Sequence, residues 1–314
     1  MSVIAVNDLT KDYGHGRGIY DVAFGVKKGE TLGFLGPNGA GKSTTMRHLM
    51  GFSKAHKGNA KILGKECRDD YATILENVGY LPGEVSLPEG LSGKGFINMM
   101  QGLRKGTNPE RLKELMDIFP IDMEQNVKRM SIGEKRKLAV IAAFINDPEI
   151  LLLDEPTSGL DPVMQEKFID FIKEEKERGK TILLSSHIFS EVEALCDRIA
   201  IIKDGRIVSV VGAAEVKHGL RKVVEITFKN KEEYDRFCRE DFEFEDTCDQ
   251  EQRVAIILED ADVNRFLKVI INYNVLKYTE NPVTLEDYFM HFYKNDKKFG
   301  GVANGKQHKH KKSN

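Results

Sequence analysis

Residues 36–44 read Gly36-Pro37-Asn38-Gly39-Ala40-Gly41-Lys42-Ser43-Thr44 and stand between an apolar run, Thr31 to Leu35, and a helix-like stretch through Met50. Glycines let successive backbone N–H groups converge on a triphosphate. Lys42 supplies a compact cation, the Ser43 hydroxyl can ligate Mg²⁺, and the helix that follows turns its positive end to the anion. A glycine-rich turn of no chemical consequence is the plain alternative, but the strand-loop-helix setting is the one a phosphate cradle needs.

Further segments follow in a matching order. Glu149-Ile150-Leu151-Leu152-Leu153-Asp154-Glu155-Pro156 sets four apolar residues before two acids, which suits a strand buried on both faces of a parallel sheet. Carboxylates at such a strand end are costly without a cation, so Asp154 is the expected Mg²⁺ ligand. Glu155 is then left to orient and deprotonate an attacking water, as general base. A surface acidic turn would also fit these two residues, but Thr157-Ser158-Gly159-Leu160-Asp161-Pro162 extends the pattern. Thr181 to Leu184 is a third apolar strand, and Ser185-Ser186-His187 follows it. The His187 imidazole can donate to a γ-phosphate oxygen, although a lone histidine there would more often be packed or solvated.

Taken together, these segments resemble the nucleotide-binding subunit of an ATP-binding cassette (ABC) transporter over about residues 1–213. Gly36 to Thr44 matches the Walker A loop and Ile150 to Glu155 the Walker B strand; Ser158 to Asp161 resembles the D-loop, and His187 the switch histidine. The Leu-Ser-Gly-Gly-Gln signature is degenerate here, as Met130-Ser131-Ile132-Gly133-Glu134. Ser131 and Gly133 carry over, and their hydroxyl and helix N-terminal amides remain available for an anion, with Lys128, Arg129, Lys135 and Arg136 screening Glu134. A serine before a basic helix is otherwise simply an N-cap. Tyr13 occupies the place of the aromatic that stacks on adenine; core packing is its alternative. In Val78-Gly79-Tyr80-Leu81-Pro82-Gly83-Glu84 the family's glutamine is replaced by Gly83. Either Glu84 substitutes as a metal ligand or water fills the place, an ordinary loop carboxylate being the plain alternative for Glu84.

At 314 residues the chain can bury a full α/β core and a second small domain, and a net charge of -2 gives no general affinity for polyanions. No leader-like terminus or ~20-residue apolar run is found, so the chain is expected to be soluble and not exported. Cys67, Cys196, Cys238 and Cys248 lack metal spacing and read as free thiols rather than as a structural zinc set. The expected fold is α/β, a P-loop NTPase cassette over residues 1–213. It comprises a mixed core sheet, a β-rich edge (strands Val3 to Val6 and Val22 to Val26) and a helical subdomain over about residues 85–145. Arg198 to Ile202, the Asp204-Gly205 turn and Ile207 to Val211 close it as a hairpin. Residues 214–296 read as a small α+β domain with strands Val223 to Phe228 and Val254 to Leu258 and helices Lys231 to Arg239 and Asp262 to Ile271. A last helix is capped by Thr284 with Asp287. Residues 297–314 form a basic tail expected to be disordered, though its histidines could bind metal or an anionic surface.

The Asn281 to Phe289 segment resembles the closing motif of ABC-2 class exporters of drugs, bacteriocins and polysaccharides. The resemblance implies ATP and Mg²⁺ as ligands and a second cassette, the same chain or another, facing the first head to tail so that Walker A of one chain and the signature of the other hold each ATP. It also implies a separate membrane-spanning permease, and so a cytoplasmic subunit peripheral on the inner face of the membrane. Among the competing ABC ATPases, a DNA-repair type needs coiled-coil heptads that the Ser43 to Ile150 interval is too short to hold, and a translation-factor type needs two cassettes. The small basic tail does not argue for nucleic acid as a partner. A nucleotide-binding regulatory scaffold gains from the altered signature and the missing glutamine.

Overall fold

The computed structural model describes residues 2–103, 108–217, 221–259, 262–282 and 284–294. The chain divides into two compact units, residues 1–213 and 214–314.

The first unit is organised by a six-stranded sheet in the order Arg206–Gly212, Arg198–Lys203, Thr31–Leu35, Thr181–Ser186, Ile150–Asp154, Val78–Leu81. Every residue of Thr31–Leu35, Ile150–Asp154 and Thr181–Ser186 is buried. Two-faced burial is what a parallel strand requires, and the five strands from Arg198–Lys203 to Val78–Leu81 are parallel. The edge strand Arg206–Gly212 returns antiparallel through Asp204-Gly205, both at positive φ, the conformation of a tight hairpin turn.

Register fixes where the loops emerge. Leu35 pairs with Ser186, Asp154 with Ser185 and Leu81 with Leu153, so the loops that follow these strands open along one rim. Ligands of open parallel sheets bind at that carboxyl-end rim.

Beside it lies an antiparallel sheet ordered Arg17–Lys27, Ser2–Gly14, Lys57–Ile62, Lys65–Glu66. Its first two strands extend well beyond Val3 to Val6 and Val22 to Val26. The polar stretch to Gly14 has no apolar alternation and is held by pairs such as Lys11 with Ile19 and Asp12 with Gly18, with register shifts between. Helices Gly93–Gly102, Pro109–Ile118 and Ile132–Phe144 fill the interval that reads as helical. Ser92 and Asn108 cap the first two by accepting from Gly95 and Arg111 amides.

The second unit alternates strand, helix, strand, strand, helix, strand. Its antiparallel sheet runs Glu243–Cys248, Arg253–Glu259, Arg221–Phe228, Val275–Pro282, the ferredoxin-like split arrangement. Helices Lys231–Phe237 and Val263–Ile270 pack Tyr234, Phe237 and Phe266 over Val224, Ile226, Phe228, Val254, Ile256 and Leu258. The strands Glu243–Cys248 and Val275–Pro282 do not stand out in the sequence. They are the sheet's two edges, and Glu243, Glu245, Asp246 and Thr247 are exposed. A helix Leu285–Lys294 follows, begun by a Tyr288 amide bond to the Thr284 carbonyl; the Asp287 side chain and the tail 297–314 lie outside the described residues. The four cysteines are free.

Candidate active site

From Leu35 the chain turns through residues 36–41 into the helix Lys42–Leu49. Gly36 admits no side chain, since a Cβ there would stand 2.5 Å from the Ile202 carbonyl oxygen. Gly41, the N-cap, has φ 112°, and its Cβ would meet Ile19 at 2.6 Å. Lys42 folds back, buried, with Nζ donating to the carbonyls of Gly36 (2.6 Å) and Pro37 (3.2 Å). Asn38 and Gly39 are exposed at the loop tip, Ala40 is buried, and Ser43 and Thr44 are half-buried in the first turn. That turn contains no acid, so no side chain of its own neutralises the helix's positive end.

Asp154 ends its strand almost fully buried and accepts a hydrogen bond from the Ser185 hydroxyl on the neighbouring strand. Glu155 adopts φ 47°, a left-handed conformation rare for a residue with a side chain. Its amide donates to the Ser185 carbonyl at 3.0 Å. Its carboxylate lies 2.9 Å from Lys42 Nζ through Oε1 and 2.5 Å from His187 Nδ1 through Oε2. Loops after three adjacent strands thus bring Lys42, Asp154, Glu155 and His187 to one place.

The other sequence candidates fall elsewhere on the unit. Ser131 caps the helix Ile132–Phe144 in a capping box: its hydroxyl donates to Glu134 Oε2 (2.8 Å) and accepts from the Glu134 amide (3.2 Å), while its own amide donates to the same oxygen. The Ser131 hydroxyl is therefore already engaged within the chain. Those bonds, the backbone one first, hold the Glu134 carboxyl below its usual range. Gly133 sits against the Gly159 carbonyl, where a Cβ would be at 3.4 Å. Asp161 caps the helix Pro162–Glu177 by accepting from Met164 at 3.0 Å. Tyr13 is exposed on the strand Ser2–Gly14, with Lys11 Nζ 5.5 Å from its ring centre. Gly83 abuts Asp154, and Glu84 is exposed.

One expectation is corrected. Arg136 does not screen Glu134; it points into the protein and is fully buried, its donors spent on backbone carbonyls. The reason is helical spacing, which sets Arg136 on the same face as the buried Ala139, Val140 and Ala143. That spacing was the available signal. Ser185 and Glu191 were also missed. Glu191 is buried and accepts from the Ser186 hydroxyl, and burial pushes its carboxyl above its ordinary range.

A strand-loop-helix phosphate cradle at the rim of a parallel sheet, with a lysine inside it and acids at the end of the next strand but one, defines a P-loop nucleotide-binding protein. Residues 19–158 match the ABC transporter family. The chain is 30% identical over 295 residues to a bacitracin transport ATP-binding protein, BcrA, of Bacillus licheniformis, covering 92% of this chain and 96% of that protein. It is 33% identical over 213 residues to the linearmycin resistance ATP-binding protein LnrL of Bacillus subtilis, covering 66% and 68%. The solved structure of an ABC transporter ATP-binding subunit superposes with a TM-score of 0.63 at 28% identity, over 69% of this chain and 92% of that one. The chain belongs to the ATP-binding proteins of ABC transporters, a family of ATPases.

Proposed function

We propose that this chain hydrolyses ATP to power export, by a separate membrane-spanning permease, of a drug, peptide or polymer. The observation that carries it is the convergence of Lys42, Glu155 and His187 at the cradle, within 2.9 Å and 2.5 Å of one another in turn. Residues 36–44 hold the phosphates with backbone amides and Lys42. Glu155 takes the proton of the attacking water, and His187 orients the γ-phosphate while buttressing Glu155. Tyr13, on the exposed end of its strand, offers a stacking face for adenine.

The donor set fits Mg²⁺, a hard cation that prefers oxygen, because Asp154 is a buried carboxylate whose charge is costly there without a cation. Ser43 and Asp154 would hold it. Bound there, it would neutralise phosphate charge during transfer. Glu84, being exposed, is given no part in this.

Ser131, Gly133 and Asp161 are assigned to a second cassette's nucleotide, which is supported by the proximity of Gly133 and Ile132 to Gly159. Among the described residues no helix is long and apolar enough to cross a membrane, and we place the translocation path in the permease. A cavity of about 610 Å³ lined by Met50, Leu75, Val85, Phe96, Met100 and Ala139 is the seat we assign to one of its cytoplasmic helices. The chain then works peripherally, on the inner face of the membrane. The relatives named for bacitracin transport and linearmycin resistance support export.

The test is phosphate release by Glu155→Gln. Turnover should fall about 10²- to 10⁴-fold, or roughly 3 to 5 kcal/mol of barrier. Near-normal turnover removes Glu155 as base, and an inactive wild-type chain that still binds ATP, with its permease present, supports a nucleotide-binding scaffold instead.

A further inference from the structure

Arg136 is 1% exposed, and its guanidinium bonds carbonyl oxygens. Nε donates to Pro156 at 2.9 Å. Nη1 donates to Pro82 at 2.5 Å and Gly83 at 3.2 Å, and Nη2 to Asp154 at 3.2 Å and also to Glu155. A single planar fork thus gathers the ends of two neighbouring parallel strands, Val78–Leu81 and Ile150–Asp154, from the helix that Ser131 begins.

Burying a cation among carbonyl dipoles is expensive. Burial pushes the guanidinium down to about 10, which leaves it charged at neutral pH. The arrangement also meets a backbone need. A left-handed glutamate persists only where its surroundings over-determine it, and Glu155 is fixed on both sides, by its amide on Ser185 and its carbonyl on Arg136. That conformation aims its carboxylate at Lys42 and His187.

We propose that Arg136 is a positioning residue for hydrolysis: it fixes the backbone of Asp154, Glu155 and Pro156 so that Glu155 points into the cradle, and it joins Pro82 and Gly83 to the same point. This rests on Glu155 being the base. Because Gly83 has no side chain to reach toward Asp154, the backbone link through Arg136 ties that segment to the rim. Lysine cannot replace the fork, since an ammonium is a point donor.

The experiment compares Arg136→Met, Arg136→Gln and Arg136→Lys in the full chain, measuring kcat and KM for ATP by phosphate release, Kd with a fluorescent ATP analogue, and the thermal midpoint. Arg136→Met should lower kcat about 50-fold or more while KM and Kd stay within about 3-fold, the pattern of a lost transition-state arrangement. Arg136→Gln, with two amide donors for the carbonyls, should recover at least about 5-fold over Met, while Arg136→Lys stays within about 3-fold of Met. Should Met prevent folding, the Lys variant, which keeps charge and bulk, must show the same fall in kcat at unchanged Kd. Unchanged kcat, or a fall in kcat matched by an equal weakening of Kd, overturns the proposal. Glu155→Gln measured alongside separates the two ideas: an inactive Glu155→Gln with normal Arg136 variants sinks only Arg136, whereas an active Glu155→Gln sinks the base assignment itself.

Discussion

Glu155 Oε1 and Lys42 Nζ are 2.9 Å apart, an ion pair between the end of one sheet strand and the phosphate loop of another. Lys42 also donates to two loop carbonyls, so its ammonium already has the partners that an incoming phosphate must replace. Glu155→Gln removes the competing charge and leaves the loop carbonyls in place. ATP binding by this variant should be as tight as in the wild type or tighter by a few-fold, even as turnover collapses. Lys42→Ala should weaken binding about 10-fold or more, near 1.4 kcal/mol. Titration with a fluorescent ATP analogue reads both, and weaker binding by Glu155→Gln would show that the pair does not compete with phosphate.

Ser131 and Glu134 satisfy each other across the first turn of their helix. Ser131→Ala should therefore cost about 1 kcal/mol in stability whatever it does to hydrolysis, visible as a lower urea midpoint. Glu134→Gln keeps an oxygen to accept from Ser131 but removes a negative charge beside the proposed phosphate face. Hydrolysis should rise about 2- to 5-fold, a change of under about 1 kcal/mol. A fall in hydrolysis with an unchanged urea midpoint would mean that the carboxylate is needed.

How much of this was legible follows from which forces act locally. Thr31–Leu35 follows its apolar run, and Ile150–Asp154 covers the apolar Ile150 to Leu153 and runs one residue further, to the buried Asp154, because a strand buried on both faces is built almost wholly of apolar residues. The glycines of the turn after Thr31–Leu35 have a steric reason in the fold: Gly36 and Gly41 stand where a side chain would strike Ile202 and Ile19. Arg136 was misjudged because a basic residue in a basic stretch reads as surface, and only the packed fold supplies its five carbonyls. The strands Glu243–Cys248 and Val275–Pro282 were hidden by their edge positions, where exposure tolerates charge and erases alternation.

Glu191 offers a pH test. It is buried against the Ser186 hydroxyl, and burial raises its carboxyl above the ordinary 4.5. With the folded value raised, the protonated acid favours the fold. The associated stability is complete below the ordinary carboxylate value and is lost as pH rises through the raised one. Glu191→Gln does not titrate and keeps an oxygen for Ser186. Relative to wild type, its thermal midpoint should climb between about pH 4 and pH 8. A constant difference across that range would show that Glu191 does not change protonation there.

Gly83 stands where the sequence resemblance places a glutamine, and the structure leaves room for one. A Cβ built there lies 3.4 Å from Asp154 Oδ2 and 3.5 Å from its Cγ, ordinary contact distances, and the backbone is not in the left-handed region that strains a side chain. Gly83→Gln should therefore fold with a midpoint close to wild type and bring an amide oxygen to the rim beside Asp154. One more hard oxygen donor should tighten apparent Mg²⁺ affinity in the ATPase reaction by about 3- to 10-fold. The measurement is the Mg²⁺ dependence of phosphate release at saturating ATP. A variant that folds but shows an unchanged Mg²⁺ midpoint would mean that this position does not address the metal, and that Asp154 and Ser43 with water suffice. A gain in turnover without a shift in midpoint would place the effect on the attacking water instead.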